Sequence, residues 1–205
     1  MTLFDKKHLF FFLFTLILTF IFYQFIDKSI ALYFHQLHAN ENMVYDIFTV
    51  ITAFGNSALY LIPSILLYVY FKKINLKPKA ASMALYIFVT NAVAGVLVWL
   101  LKVPFGRARP IEFLQEKIYG FHWFEIKPDY VSFPSGHTIT IISTVVAFSL
   151  LFPKWKYLFL PLGGVVAFSR VVLTEHYMSD IIFASFLGAM VAILLHKYYF
   201  NFQES

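Results

Sequence analysis

The chain has 205 residues, of which 60% are hydrophobic and 13% charged, with 26 phenylalanines, no cysteine and a formal net charge of +5. Soluble domains carry roughly 25% charged residues, so this composition excludes an ordinary water-soluble fold and describes a chain dissolved in lipid. The length is that of one domain, expected over residues 1–205, and the missing thiols exclude disulfides, thiolate metal sites and a cysteine nucleophile.

Six apolar stretches, 8–26, 54–71, 80–101, 135–152, 157–173 and 180–196, predict an all-α, six-helix membrane bundle. Several lie near the short end of the ~17–25 residues that a spanning helix uses. The first runs into Tyr23-Gln24-Phe25-Ile26-Asp27 without a small-residue cleavage pattern, so it reads as a retained anchor. Residues 29–53 are too broken to span and too apolar for a plain loop. They predict short interfacial helices after helix 1, parted at Asn40-Glu41-Asn42.

The connecting segments give orientation. Lys6 and Lys7 precede the first stretch, Lys72, Lys73, Lys77 and Lys79 separate the second from the third, and Lys154 and Lys156 separate the fourth from the fifth. These lysines belong on the cytoplasmic side, which puts both termini there. Asp27, Glu41 and Asp46, against a single Lys28, fit the opposite face. With helices alternating up and down, Lys102, the start of helix 4 at Pro134-Ser135-Gly136-His137, Arg170, His176 and Asp180 all fall at one external end.

Those residues suit phosphoryl transfer. The chain has only three arginines, Arg107, Arg109 and Arg170, against 13 lysines, and all three sit in polar interruptions of the apolar sequence. Arginine is the residue for gripping planar, multidentate anions. Lys102, Arg109 and Arg170 are placed to surround the non-bridging oxygens of a phosphate. Ser135 offers a hydroxyl, and the amide of Gly136 opens a helix whose N-terminus favours an anion.

A helix beginning before His176 would set it i,i+4 from Asp180, fixing one ring tautomer and freeing the other nitrogen to attack phosphorus. His137 is the complementary acid. Nearby cations disfavour charge on His176, while bound phosphate favours a protonated His137.

At these positions the chain resembles the type-2 phosphatidic acid phosphatases, membrane enzymes related to vanadium haloperoxidases. The resemblance has three parts: Lys102 followed after six residues by Arg109-Pro110; Pro134-Ser135-Gly136-His137; and Ser169-Arg170, five residues, His176, three residues, Asp180. Eleven specified positions at fixed offsets make the match specific. It implies cofactor-free, metal-independent hydrolysis through a phosphohistidine on His176, with His137 as acid and then base. Lys102, Arg109, Ser135, Gly136, His137 and Arg170 would hold the phosphate.

The expected substrate is a lipid phosphate or pyrophosphate of undecaprenyl, phosphatidylglycerophosphate, phosphatidic acid or lipid A type, met at the external face of a bacterial inner membrane. Nucleic acid is not an expected partner. The same site would serve a phosphotransferase passing phosphate to an acceptor hydroxyl. A lipid or anion transporter is the other alternative, but it has no need of two histidines at these offsets.

Three features stand apart. His35 and His38 form an i,i+3 pair without a third ligand, which fits a polar helix face better than a metal site. Arg107 is open between a headgroup contact and a structural role. Members of the family often carry a small residue, commonly glycine, shortly before the nucleophilic histidine, but here the run is Leu173-Thr174-Glu175-His176, and the acid would either raise the pKa of the histidine or face water. Glu175 reads as solvated or structural.

Overall fold

The computed structural model describes residues 6–40 and 42–201, all of them helical or connecting except for one isolated β-bridge, Arg107 with Phe121. Glu41, assigned to the outer segment and to its helix break, lies outside the described residues. Among the described residues nine α-helices follow in order: α1 Lys6–Ile21, α2 Asp27–Asn40, α3 Asn42–Thr52, α4 Ala58–Lys73, α5 Pro78–Phe105, α6 Pro110–Glu116, α7 Gly136–Leu151, α8 Lys156–Val172 and α9 Met178–Leu195.

Among the described residues, five helical runs are long and apolar enough to cross a membrane: Lys6–His38, Met43–Lys73, Pro78–Phe105, Pro153–Val172 and Met178–Phe200. The protein is therefore an integral membrane protein. The remaining predicted stretch, the fourth at 135–152, forms α7, whose 16 residues span about 24 Å, shorter than the ~30 Å hydrocarbon layer. That helix is the most enclosed of the set, with α5, α8 and α9 packed around it.

The region after helix 1 is helical, as expected, but more continuous than its sequence implies. One turn of π-helix, Phe22–Ile26, carries α1 directly into α2, and a 3-10 turn, Ala53–Gly55, links α3 to α4. The π turn inserts an extra residue per turn. Beyond it, Asp27 is wholly buried although it follows a long apolar run.

Small residues set the close helix spacing around α7, as is usual where lipid supplies no hydrophobic drive for association. A Cβ on Gly188 would lie 2.7 Å from the Ile139 carbonyl, so α9 meets the α7 backbone directly. Polar pairs add specificity: the Thr144 hydroxyl donates to Asn91 Oδ1 at 3.1 Å, and the Tyr86 hydroxyl donates to the Ala192 carbonyl at 2.8 Å. Outward-facing Phe10, Phe11, Ile17, Leu66 and Val96 present apolar surface suited to acyl chains.

At one end of the bundle, the segment between α5 and α7 folds back over the helix termini. Gly106 ends α5 in the left-handed region, with φ 51°, and a side chain there would meet the His122 carbonyl at 2.0 Å. The turn redirects the chain so that Arg107 bridges Phe121, while the Ser132 amide donates to the Arg107 carbonyl at 3.0 Å. Pro110 opens α6 and Ser135 caps α7.

Candidate active site

Four helix ends and two connections meet in one cleft of about 290 Å³. Its wall contains Lys102 from the last turn of α5, Arg109 from the cap of α6, Gly136 and His137 from the first turn of α7, Arg170 from the last turn of α8, and His176 from the turn before α9. Gly55, Asn56 and Ser57, from the turn before α4, close one side, and Gly95, Val98 and Trp99 of α5 add an apolar flank. The convergence inferred from helix alternation is thus a physical cavity.

His176 precedes α9, which begins at Met178, so the condition of a helix starting before His176 is not met. The i,i+4 relation to Asp180 survives because the chain turns back on itself: Tyr177 caps α9, and its amide donates to Asp180 Oδ2 at 2.9 Å. His176 Nδ1 then lies 3.5 Å from the same oxygen and 3.4 Å from the Ser132 hydroxyl, which itself donates to Asp180 Oδ2 at 2.6 Å. A proton on Nδ1 facing Asp180 leaves Nε2 with its lone pair.

Burial first, then the Lys102 and Arg109 cations, push the His176 imidazole down to about 3, although its bond to Asp180 pulls the other way. The ring is therefore neutral near neutral pH, as a nitrogen nucleophile must be.

Asp180 is held from behind by Arg107. The Arg107 guanidinium donates through Nη1 to Asp180 Oδ1 and to the Ser179 hydroxyl, the latter at 2.7 Å, and through Nη2 to Asp27 Oδ2 at 2.7 Å. Asp27 Oδ1 in turn accepts from the Ser179 amide at 3.0 Å, so carboxylates from two distant segments meet the positive end of α9. The rings of Tyr23, Tyr119, Phe121 and Tyr177 surround the guanidinium at 4.5–5.7 Å from its carbon. Burial opposes the charge of Arg107, but Asp180 and Asp27 outweigh it and raise its affinity for the proton.

Of the two readings left open for Arg107 the structural one fits, whereas Asp27 was not singled out from sequence as part of the site. Arg107 does not line the cleft, which excludes the headgroup contact, and its role is to brace Asp180. The readable signal was Asp27 itself, an acid closing an apolar run, since ionisable groups at such positions usually have a buried partner.

The three cationic phosphate-binding candidates differ in surroundings. Lys102 is buried and donates through Nζ to the Val131 carbonyl, which ties α5 to the strand of chain leading into α7. Arg170 donates to the Thr52 hydroxyl at 2.8 Å, and its Nε, also buried, has no partner among the described residues. Arg109 donates from Nε to the Pro128 carbonyl at 3.0 Å and pairs through Nη1 with Glu175 at 2.6 Å.

Ser135 is fully buried and outside the cleft wall, where its oxygen accepts from the Thr138 hydroxyl at 3.0 Å and caps α7. Gly136 and His137 line the cleft directly. Among the described residues no three His, Asp or Glu side chains are grouped to hold a metal ion, and the ring of His38 packs edge-on against Tyr45.

Residues 81–204, which carry every motif named above, match the family model of the PAP2 superfamily. The chain belongs to the PAP2 superfamily. It is 34% identical over 154 residues to a lipid A 1-phosphatase of Rhizobium johnstonii, covering 70% of this chain and 63% of that protein.

A lipid A 1-phosphatase of Rhizobium etli matches at the same identity, with 66% of that protein covered, and an undecaprenyl-diphosphatase of Sulfolobus acidocaldarius is 26% identical over 57% of this chain and 55% of its own length. The matched region thus spans less than two thirds of each relative. The crystal structure of a transmembrane PAP2 type phosphatidylglycerolphosphate phosphatase from Bacillus subtilis superposes with a TM-score of 0.62 at 20% identity, covering 98% of this chain and 99% of that one. The PAP2 transmembrane fold therefore extends over nearly the whole chain.

Proposed function

We propose that this PAP2 protein is a membrane phosphatase that removes phosphate from a lipid phosphate or pyrophosphate through a phosphohistidine. The observation that carries the reading is the joint presence of Lys102, Arg109, Arg170, His137 and the Asp180-linked His176 on one cleft at the end of an apolar bundle. Nε2 of His176 attacks phosphorus, the bond from phosphorus to the lipid oxygen breaks, and His137 gives that oxygen its proton. In the second step His137 takes a proton from water as the water oxygen displaces His176, releasing inorganic phosphate.

The cations counter charge on the non-bridging oxygens throughout, and the amide end of α7 adds to them. Asp180 supports the positive charge that His176 gains on phosphorylation. Arg107 and Asp27 keep that carboxylate in place.

The names of the relatives favour a bacterial envelope lipid, and lipid A carrying a 1-phosphate is the first substrate to test. Purified protein is to be assayed for phosphate release from lipid A, undecaprenyl pyrophosphate, phosphatidylglycerophosphate and phosphatidic acid. Turnover of at least one, persistent in EDTA and lost in His176→Ala, is the expected result. No release from any of them, or release undiminished in His176→Ala, sinks the reading.

The cleft is assigned to the external face of the inner membrane because the lysine-rich segments around residues 72–79 and 154–156 lie at the other helix ends. The chain contains no cysteine, so Lys127→Cys and Lys154→Cys each introduce a single thiol. An impermeant maleimide should label the first in intact cells and the second only after lysis. The reverse pattern inverts the topology.

A further inference from the structure

The carboxylate of Glu175 occupies the space between the two arginines assigned to phosphate. One oxygen, Oε2, lies 2.6 Å from Arg109 Nη1 and 3.4 Å from Arg170 Nη2. Among the described residues these guanidinium groups are its only polar partners. The arrangement is what a non-bridging phosphate oxygen would adopt, since it too would accept from two guanidinium groups at once.

The backbone behind this carboxylate is fixed. The amides of Glu175 and His176 both donate to the Arg170 carbonyl, at 3.0 and 3.1 Å, and Thr174 turns the chain with φ 54°. A shift of the loop would carry His176 with it, so the carboxylate can leave the arginines only by rotating its own side chain. That side chain is 44% exposed and has solvent to rotate into.

We infer that Glu175 is a specificity-determining residue whose carboxylate competes with phosphate for Arg109 and Arg170. Any anion entering the cleft replaces an ion pair already made, so its gain is the difference between the two sets of bonds. Free phosphate has nothing further to offer. A lipid phosphate adds the burial of its chain beside the apolar flank of Val98 and Trp99, and is retained where phosphate alone is not. Glu175 thereby discriminates against soluble phosphates and limits inhibition by released phosphate. The selectivity for a lipid tail rests on the phosphatase reading above, whereas the competition for the arginines does not.

The test uses full-length wild-type protein, Glu175→Gln and Glu175→Ala in lipid nanodiscs. Binding of inorganic phosphate is read by calorimetry, and KM is read for a lipid phosphate and for p-nitrophenyl phosphate. Removing the competitor should tighten phosphate binding about tenfold in both variants, equivalent to one charge-assisted bond no longer replaced. KM for p-nitrophenyl phosphate should fall by a similar factor, and the preference for lipid over soluble substrate should narrow accordingly. Phosphate binding that is unchanged or weaker in both variants overturns the competition, whatever the turnover, and makes Glu175 a brace for the arginines. Tighter phosphate binding in a protein that hydrolyses no lipid phosphate upholds the competition and overturns the lipid reading.

Discussion

Arg107 and Asp180 form an ion pair from which solvent is wholly excluded, and the same guanidinium is shared with Asp27. The shared guanidinium joins the start of α2 to the carboxylate behind His176, across 153 positions of sequence from Asp27 to Asp180. One buried cation between two buried carboxylates leaves little freedom in where Asp180 can sit. Its function is positional, because Arg107 touches Asp180 and not the cleft.

Arg107→Ala would leave two carboxylates uncompensated, and such a loss costs about 3–5 kcal/mol in stability. The thermal midpoint in detergent should fall markedly. Arg107→Lys keeps the charge but offers one point where a fork is used, so it should retain phosphate binding while turnover drops about tenfold or more. Equal turnover with Arg107→Lys would show that the bracing geometry does not matter.

Asp27→Asn removes one charge from the same triad without altering its shape. Asp27 Oδ1 and Oδ2 accept from Ser179 and Arg107, and an amide can supply only one acceptor oxygen. The expected result is lower kcat with KM for the lipid phosphate held within about twofold, since Asp27 acts through Asp180 and not on the substrate. A rise in KM alone would contradict that assignment.

Much of this arrangement was legible in the residues. The offsets of Lys102, Arg109, His137, Arg170 and His176 suggest the proposed chemistry, and alternation of apolar stretches places their helix ends together. Arg107 was not legible, because the spacing of two arginines two apart does not reveal which one faces a cavity and which is enclosed by Tyr23, Tyr119, Phe121 and Tyr177. What brings His176 beside Asp180 was not legible either. A cap formed by Asp180 on the Tyr177 amide brings His176 to its carboxylate without helical geometry, and an i,i+4 spacing cannot tell the two apart. The partnership of Glu175 with Arg109 and Arg170 depends on the left-handed turn at Thr174, a residue type that does not announce positive φ.

The ionisation of His176 can be read directly. Its affinity for a proton is depressed to about 3, so the ring is neutral above that value and gains charge only as pH falls through it. With selectively labelled histidine, its ring-nitrogen signals should stay those of a neutral Nδ1–H tautomer from pH 8 down to pH 5. A titration midpoint near the ordinary value of about 6.5 would contradict the burial and cation effects assigned to it. In Asp180→Asn the protonated Nδ1 loses its anionic partner. The tautomer preference should weaken, and turnover should fall by orders of magnitude, since a misoriented imidazole presents the wrong nitrogen.

The acid role proposed for His137 has a structural lever in Gly55. A Cβ at Gly55 would stand 2.7 Å from Cδ2 and 2.8 Å from Cβ of His137, too close for either to remain in place. Neither backbone yields easily: the Gly55 turn is closed by the Asn56 amide on the Ala53 carbonyl at 3.0 Å, and His137 is in the first turn of α7. Gly55→Ala should therefore displace the imidazole while leaving Lys102, Arg109, Arg170 and His176 where they are. A displaced acid matters most when the departing oxygen needs its proton. Turnover of lipid phosphate should fall about 10²-fold, at the low end of what general acid catalysis contributes, and p-nitrophenyl phosphate, which leaves readily as an anion, should slow far less. Equal losses on both substrates would mean that the clash disturbs phosphate binding itself, and the proton-donor assignment of His137 would then lack its support.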